Sequence, residues 1–166
     1  MANLIREQRL IDSNKRALIK YIILSDGTQE SNTRLVDASN LRFALNANGY
    51  IMQSNTHPKT NYRTTVRKIK AYSKTSGSVR LKWEGDANSE IITFGTGSVD
   101  FTFENDGAII SNPEANATGD ILISTLGLVS TDAITLFIDL RKESLDYDAG
   151  QTADPYAFNA TDRYPS

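Results

Sequence analysis

Few residues of this chain belong to the types that carry out nucleophilic or metal-assisted chemistry. The chain contains no cysteine and a single histidine, His57. Thiolate catalysis, cysteine-ligated metal centres and multi-histidine metal sites within one subunit are therefore excluded. His57 precedes a proline, which favours an extended or turn conformation, and no G-x-S-x-G sequence is present. We interpret His57 as a loop residue rather than as the base of a hydrolase triad.

Two acidic clusters have a spacing that superficially resembles cation binding. Asp86, Asn88 and Glu90 follow a glycine at alternate positions, but the further glycine and the distant glutamate of an EF-hand are missing. We interpret this segment as a polar hairpin turn. A second cluster, interpreted as solvated acidic residues, precedes Gly150 and consists of Glu143, Asp146 and Asp148.

Paired carboxylates could also support glycoside hydrolysis, which requires two carboxyl groups about 5–9 Å apart across a cleft. The candidates are Asp100, Glu104, Asp106 and Glu114. Asp100 and Glu104 lie on the outward face of a predicted strand, which argues against a shared cleft. Phosphate-binding glycine loops are also missing from the sequence. We expect a protein that is not an enzyme and that has no catalytic residues, no cofactor and no bound metal.

Charge is distributed very unevenly along the chain. Residues 1–82 hold 15 Lys and Arg against 5 Asp and Glu, whereas residues 83–166 hold 3 against 15. The two parts carry net charges of +10 and −12, which combine to the total of −2. Such asymmetry suggests partners or self-association. Pairing of the two parts across strands of one subunit is the alternative.

The densest basic segment alternates with aromatic residues. Phosphate neutralisation combined with stacking is typical of single-strand nucleic-acid binding. The acidic total argues against nucleic acid, and alternation places Trp83 on an apolar face. We therefore expect an electrostatic surface for a protein partner, formed by Arg63, Arg67, Lys68 and Lys70, with a simply solvated face as the alternative.

Strands must position these residues, because period-two alternation of apolar and polar residues dominates the middle of the chain. The clearest examples are residues 78–84, 98–104 and 133–140. Further strands are predicted at 16–24, 34–37, 64–72, 90–94, 108–111 and 120–126, with a short helix over 39–46. Residues 16–24 are apolar on both faces, which suits either a central strand or a buried helix. This pattern predicts an all-β fold, an antiparallel β-sandwich or jelly roll, as a single domain over residues 16–143.

Both ends of the chain are predicted to be extended arms, over residues 1–15 and 144–166. The second arm is acidic and carries four aromatic residues, Tyr147, Tyr156, Phe158 and Tyr164. Disordered tails are usually poor in aromatic residues, so we expect these side chains to contact a partner. A frayed terminus with incidental aromatic residues is the alternative. Neither a membrane span nor a signal peptide is expected, because apolar runs are short.

Several blocks of the sequence resemble a family of small structural proteins in the virions of tailed phages, particularly those of marine bacteria. The blocks cover residues 14–21, 45–52, 54–59, 112–116, 118–122, 135–142 and 148–155. The resemblance implies a virion protein present in many copies, without catalytic activity. It also implies folding in the host cytoplasm before assembly into the particle.

Among virion roles, extended arms and polarised charge favour a capsid cement or decoration protein. Such a protein bridges and stabilises the head lattice through many weak contacts. The expected partners are the major capsid protein or other virion proteins, with homo-oligomeric contacts in the particle. Two alternatives stay open: a neck, tail or fibre-associated component, and a carbohydrate- or calcium-dependent adhesion module.

Overall fold

The computed structural model describes residues 2–52, 58–103 and 116–147. Within these ranges the chain forms nine strands and one short 3-10 helix, η1. In chain order the elements are β1 (Leu4–Asp12), β2 (Arg16–Leu24), β3 (Thr33–Val36), η1 (Ala38–Asn40), β4 (Thr64–Lys74), β5 (Ser78–Trp83), β6 (Glu90–Phe94), β7 (Gly97–Thr102), β8 (Ile121–Leu126) and β9 (Ala133–Lys142). Nowhere in these ranges is there a helix of the length and apolarity that a bilayer span requires.

The strands form two antiparallel sheets. The five-stranded sheet has the order β1-β2-β9-β4-β7, and the four-stranded sheet has the order β3-β8-β5-β6. Apolar side chains from both sheets belong to one buried cluster. The two layers are also joined by the Tyr21 hydroxyl of β2, which donates to the Leu35 carbonyl oxygen of β3 at 3.0 Å. The predicted all-β antiparallel sandwich is confirmed.

Alternation positions the core as the sequence predicts in two of the clearest strands. In β5, Val79, Leu81 and Trp83 are buried, and in β9 every second residue from Ile134 to Leu140 is buried. The third segment, β7, is an edge strand. Its Phe101 lies opposite buried Ile69 but is 41% exposed. An edge position therefore leaves an apolar face partly open.

Strand β2 is apolar on both faces, with one face in the core and the other only partly exposed. It lies between β1 and β9, and its inward residues from Ala17 to Ile23 are fully buried. On the outward side, Leu18 and Ile22 are half-buried and Leu24 is exposed. Of the two possibilities for this segment, a central strand or a buried helix, the structure shows the strand.

The arm predicted over residues 1–15 is largely an edge strand. β1 pairs with β2 from Leu4 opposite Leu24 to Asp12 opposite Ala17. A register shift between Arg9 and Ile11 interrupts the alternation. This irregularity hides the strand from a period-two search, because the apolar residues on the two sides of the shift are out of phase.

At the other end, the predicted boundary at residue 144 is too early for a freely extended arm. Asp146 and Tyr147 are both buried, and Tyr147 forms a bridge with Ala44. Asp146 and Tyr147 therefore pack on the sandwich, while Leu145 is exposed. Residues 148–166, with Tyr156, Phe158 and Tyr164, lie outside the described ranges.

The helix predicted over residues 39–46 is wrong. Only the short η1 forms there, where the Asp37 carboxylate accepts a hydrogen bond from the Ser39 amide at 3.2 Å. Leu41 and Leu45 are buried, as a helix would also have placed them. The backbone becomes extended at Leu41, with ψ of 149°, which ends η1, and a positive φ of 65° at Phe43 is also incompatible with a helix.

Candidate functional site

A shallow cavity lies on the outer face of the five-stranded sheet, the face turned away from the core. It encloses about 360 Å³ and is contributed by three adjacent strands, β2, β9 and β4. We call this cavity the groove. Its lining residues are Arg16, Leu18, Lys68, Lys70, Tyr72, Phe137 and Asp139.

Strand register explains why these residues meet. Leu18 of β2 lies opposite Asp139 of β9, which lies opposite Lys68 of β4. The next row on this face joins Lys20, Phe137 and Lys70 in the same way. Residues in register share a face of the sheet, so rows distant in sequence form one surface.

The middle of the groove is apolar and aromatic. Phe137 is half-buried in the central strand, and Tyr72 on β4 is 51% exposed. The Lys20 ammonium lies 5.8 Å from the centroid of the Phe137 ring, within cation–π range. The groove therefore offers flat apolar surface beside positive charge.

Its polar groups are partly paired. Arg16 donates two hydrogen bonds to the Asp139 carboxylate, at 2.9 and 2.8 Å, in a bidentate arrangement. Lys68 and Lys70 approach the two oxygens of Asp100 at 3.7 and 3.9 Å, so two ammonium groups share one carboxylate. One unit of positive charge at this pair is left uncompensated.

Positive charge continues along the whole outer face of the described sheet. By register, seven cationic side chains and two carboxylates project from it, a net charge of +5. The cations are Arg6, Arg16, Lys20, Lys68, Lys70, Lys74 and Arg141, and the carboxylates are Asp100 and Asp139.

The predicted electrostatic surface is thus brought together only in part. Lys68 and Lys70 line the groove. Arg67 falls at a register shift of β4 between Val66 and Lys68, and its carbonyl oxygen accepts the Phe103 amide at 2.8 Å. It is not among the residues that line the groove.

Arg63 lies elsewhere and makes an ion pair within the subunit. Its Nε and its backbone amide both donate to Asp146 Oδ2 at 2.9 Å, and Lys59 Nζ lies 3.1 Å from Oδ1. Burial alone would raise the pKa of Asp146, but the hydrogen bonds from Arg63 and Lys59 outweigh it and lower the pKa. Asp146 is therefore a buried structural carboxylate, not a solvated one.

Tyr147, predicted to contact a partner, is instead part of the core. It is 1% exposed, and its hydroxyl donates to the Ala38 carbonyl oxygen at 2.7 Å. Its ring lies 5.6 Å from that of Tyr62. A side chain enclosed in this way cannot contact a neighbouring molecule without unfolding of the residues around it.

A buried lysine beside Tyr147 was not predicted. Lys142 ends β9 on the inward face, and its ammonium group pairs with Asp12 and donates to the carbonyl oxygens of Ser13 and Arg42 at 2.6 and 2.9 Å. Burial lowers its pKa, and the Asp12 carboxylate opposes that effect. The sequence carries one signal for this burial. Lys142 continues the alternation of Ile138 and Leu140, which places it on the inward face of β9.

A cluster around Arg34 was also missed. Arg34 Nε lies 2.9 Å from Asp120 Oδ2, and Glu84 and Asp37 approach the same guanidinium at 3.9 and 4.0 Å. Asp120 also accepts the Ala38 amide at 2.8 Å. Burial raises the pKa of Asp120 to about 6, and the two neighbouring carboxylates add to the shift.

The candidate cation and hydrolase residues serve local structure where they are described. Strands β5 and β6 pair as the predicted hairpin, with Asp86 bound by the Asn116 amide at 2.9 and 3.0 Å and Glu90 by Arg80 at 2.9 Å. Among residues 2–52, 58–103 and 116–147, no three acidic, histidine or cysteine residues are placed to hold a metal. The other candidates, His57, Glu104, Asp106 and Glu114, lie outside those ranges.

Comparison with known proteins adds little to this description. No protein-family model and no curated protein matches the chain. A solved structure described as "CBM4 structure and function" is similar at 12% identity, over 84% of this chain and 94% of that one, with a TM-score of 0.25. A similarity of this quality carries no argument about the function of the chain.

Proposed function

We propose that this chain is a non-catalytic structural subunit that binds an acidic protein segment through the outer face of its five-stranded sheet. The groove is the observation that carries the proposal. It combines the aromatic surfaces of Tyr72 and Phe137 with Lys68 and Lys70, which share one carboxylate. Aromatic anchors beside positive charge favour an extended acidic chain as the ligand.

The sequence blocks that resemble tailed-phage virion proteins supply the setting. There the chain serves as a capsid cement or decoration protein, and its partners are the major capsid protein or other virion proteins. A basic face of net charge +5 suits a lattice held by many individually weak contacts. A neck, tail or fibre-associated position would use the same face with fewer copies.

A structural role also agrees with the ion pairs that the buried carboxylates make. The buried carboxylates Asp120, Asp139 and Asp146 each pair with an arginine from a distant part of the chain. These pairs join separate elements of the sandwich. The pairs of Asp139 and Asp146 are therefore understood as interactions that hold the subunit together, whereas burial disfavours the charged form of Asp120.

The direct test is mass spectrometry of virions from a phage whose genome encodes this chain. On the order of hundreds of copies per particle would support the cement role, and about a dozen would support a neck or tail position. The double substitution Lys68→Glu with Lys70→Glu should reduce incorporation. The matched pair Lys15→Glu with Lys82→Glu, outside the groove, should not. Absence of the chain from virions would refute the proposal.

The groove also favours one alternative, a carbohydrate-binding module. Aromatic side chains with a few polar groups in a concavity are typical of small-molecule sites, sugars included. The measurement is isothermal calorimetry of the chain with host polysaccharide. Binding that Tyr72→Ala with Phe137→Ala abolishes, without any virion incorporation, would favour this alternative. Asp86 is bound by Asn116 and Glu90 by Arg80, so this alternative does not include a calcium site at these residues.

A further inference from the structure

We infer that the groove of one copy binds residues 154–164 of a second copy of this chain. The inference rests on the proposed function, because it names the acidic segment that the same face receives. It assigns the contact between neighbouring copies in the particle to one surface and one segment. Three features of the chain carry it: charge, side-chain spacing and length.

Charge is complementary between the two parts. Arg16, Lys20, Lys68 and Lys70 surround the groove with the carboxylates Asp100 and Asp139, a net charge of +2. Residues 154–164 carry two aspartates and one arginine, a net charge of −1. Opposite charge favours this pairing and disfavours groove-to-groove contact.

Side-chain spacing within the segment suits binding in an extended conformation. Side chains at alternate positions of an extended chain share one face. All the aromatic and acidic residues of this segment have even numbers: Asp154, Tyr156, Phe158, Asp162 and Tyr164. Pro155 and Pro165 favour extended conformations in the residues before them. One face of the bound segment would therefore present every aromatic ring and every carboxylate.

The lengths also agree. Residues 154–164 span ten steps, roughly 33 Å when extended at about 3.3 Å per residue. Strand β9, which lies at the centre of the five-stranded sheet, has ten residues and therefore a similar length. Lys68 and Lys74 on β4 are six residues apart, about 20 Å along the same direction. Positive charge thus extends over much of the length that the segment would occupy.

The position of Tyr147 favours a second copy over the chain's own groove. Tyr147 is held on the core side of the five-stranded sheet, against Ala38 and Tyr62. The groove lies on the opposite side of that sheet. A segment that binds its own groove must pass around the end of the sheet, whereas the groove of another copy imposes no such path. Head-to-tail contacts of this kind are heterologous and can extend into rings or lattices.

The test exchanges charge between the two surfaces in the full chain. Lys68→Glu with Lys70→Glu gives a groove variant, and Asp154→Lys with Asp162→Lys gives a tail variant. Sedimentation of the unsubstituted chain should show concentration-dependent association. Each variant alone should associate at least about tenfold more weakly, since its groove and its tail then carry the same sign of charge.

Mixing the two variants is the decisive step. The acidic groove of the first variant then meets the basic tail of the second, and the unchanged groove of the second meets the unchanged tail of the first. Association should return in the equimolar mixture. Circular dichroism checks that both variants are folded, and Lys15→Glu with Lys82→Glu controls for the change in net charge of the groove variant.

Several results would overturn the inference. They are a chain that remains monomeric at every concentration, variants that associate like the unsubstituted chain, and a mixture in which association does not return. Virion incorporation is measured separately. Incorporation into virions without groove-to-tail association between copies would refute the inference alone. Such association without incorporation into virions would refute the proposed function alone.

Discussion

Lys142 is the most deeply buried cation among the described ion pairs. Its side chain is 0% exposed, and its ammonium group has three acceptors, the Asp12 carboxylate and the carbonyl oxygens of Ser13 and Arg42. These contacts join the end of β9 to the β1–β2 turn and to the segment after η1. A buried charge with complete hydrogen bonding is tolerated, but the loss of one partner is costly.

The substitution Lys142→Met should therefore destabilise the protein by about 1–3 kcal/mol. Methionine retains volume but leaves the carbonyl oxygens of Ser13 and Arg42 without the donor, while Asp12 keeps Arg9 and the Arg42 amide as partners. Urea unfolding measures the change. Lys15→Met, at an exposed turn position, should change stability by less than about 0.5 kcal/mol. Equal stability of the two variants would show that the buried network contributes nothing.

Asp120 makes stability depend on pH in an unusual direction. Its pKa is raised to about 6 in the folded protein, above the ordinary value of 3.8. The stabilisation from its protonated form is complete below the ordinary pKa and is lost as the pH rises through about 6. Asp120→Asn keeps the acceptor for the Ala38 amide but does not titrate. The melting temperature of the variant relative to the unsubstituted protein should rise between pH 4.5 and pH 7.5. A constant difference would contradict the assignment.

Gly119 allows the chain to pass close to another backbone segment. Its φ is +89°, and a Cβ at this position would lie 2.0 Å from the Tyr62 carbonyl oxygen. Gly49 has a similar φ of +85° with no atom within 4 Å of such a Cβ. Both substitutions to alanine cost about 1–2 kcal/mol for the left-handed backbone. Gly119→Ala should cost clearly more in urea unfolding, and an equal cost would contradict the close approach.

At the scale of elements, the segment that follows β9 belongs to the fold. Asp146 links it to Arg63 and Lys59, and Tyr147 packs against Tyr62. A chain ending at residue 147 should therefore be more stable than one ending at residue 144. Loss of the buried tyrosine alone should cost about 3–5 kcal/mol. Thermal unfolding of the two chains measures the difference, and equal melting temperatures would contradict it.

The sequence predicts elements well where one face is buried and the other is open. Alternation identifies β5 and β9 because Leu81 and Leu136 are enclosed while their neighbours are not. It fails at β1, where a register shift near Ile11 changes the phase, and at 39–46, where Leu41 and Leu45 have helical spacing in a loop. Local patterns cannot detect conditions that long-range pairing imposes.

The candidate site shows the same limit. Lys68 and Lys70 were predicted from local charge density, and both line the groove. Phe137 and Arg16 were not, because they reach the groove only through the strand order β2-β9-β4. That order joins residues more than a hundred positions apart, so no local signal could identify the groove before the fold was known.

At the scale of the whole molecule, the opposite charges of the two parts of the sequence are largely combined within one subunit. Arg16 pairs with Asp139, Arg34 with Asp120, and Arg63 with Asp146. The alternative of intramolecular pairing is therefore realised in the described residues. The outer face of the five-stranded sheet retains an excess of positive charge. Residues 148–166 contribute an excess of negative charge in the sequence.

Some charges are paired within the subunit, and others form the excess on the outer face of the five-stranded sheet. Association between copies and stability of the fold should therefore respond differently to salt. Exposed charges are screened over about 10 Å at 0.1 M salt and over about 3 Å at 1 M, whereas buried pairs are screened much less. Association between copies should weaken at least about tenfold when NaCl is raised from about 0.1 M to about 1 M. The melting temperature should change less than association does, because the carboxylates of Asp120 and Asp146 are buried, although their partners Arg34 and Arg63 are about half exposed. Sedimentation and differential scanning calorimetry measure the two quantities. Association that salt strengthens would mean that Tyr72 and Phe137, rather than the lysines beside them, provide most of the attraction.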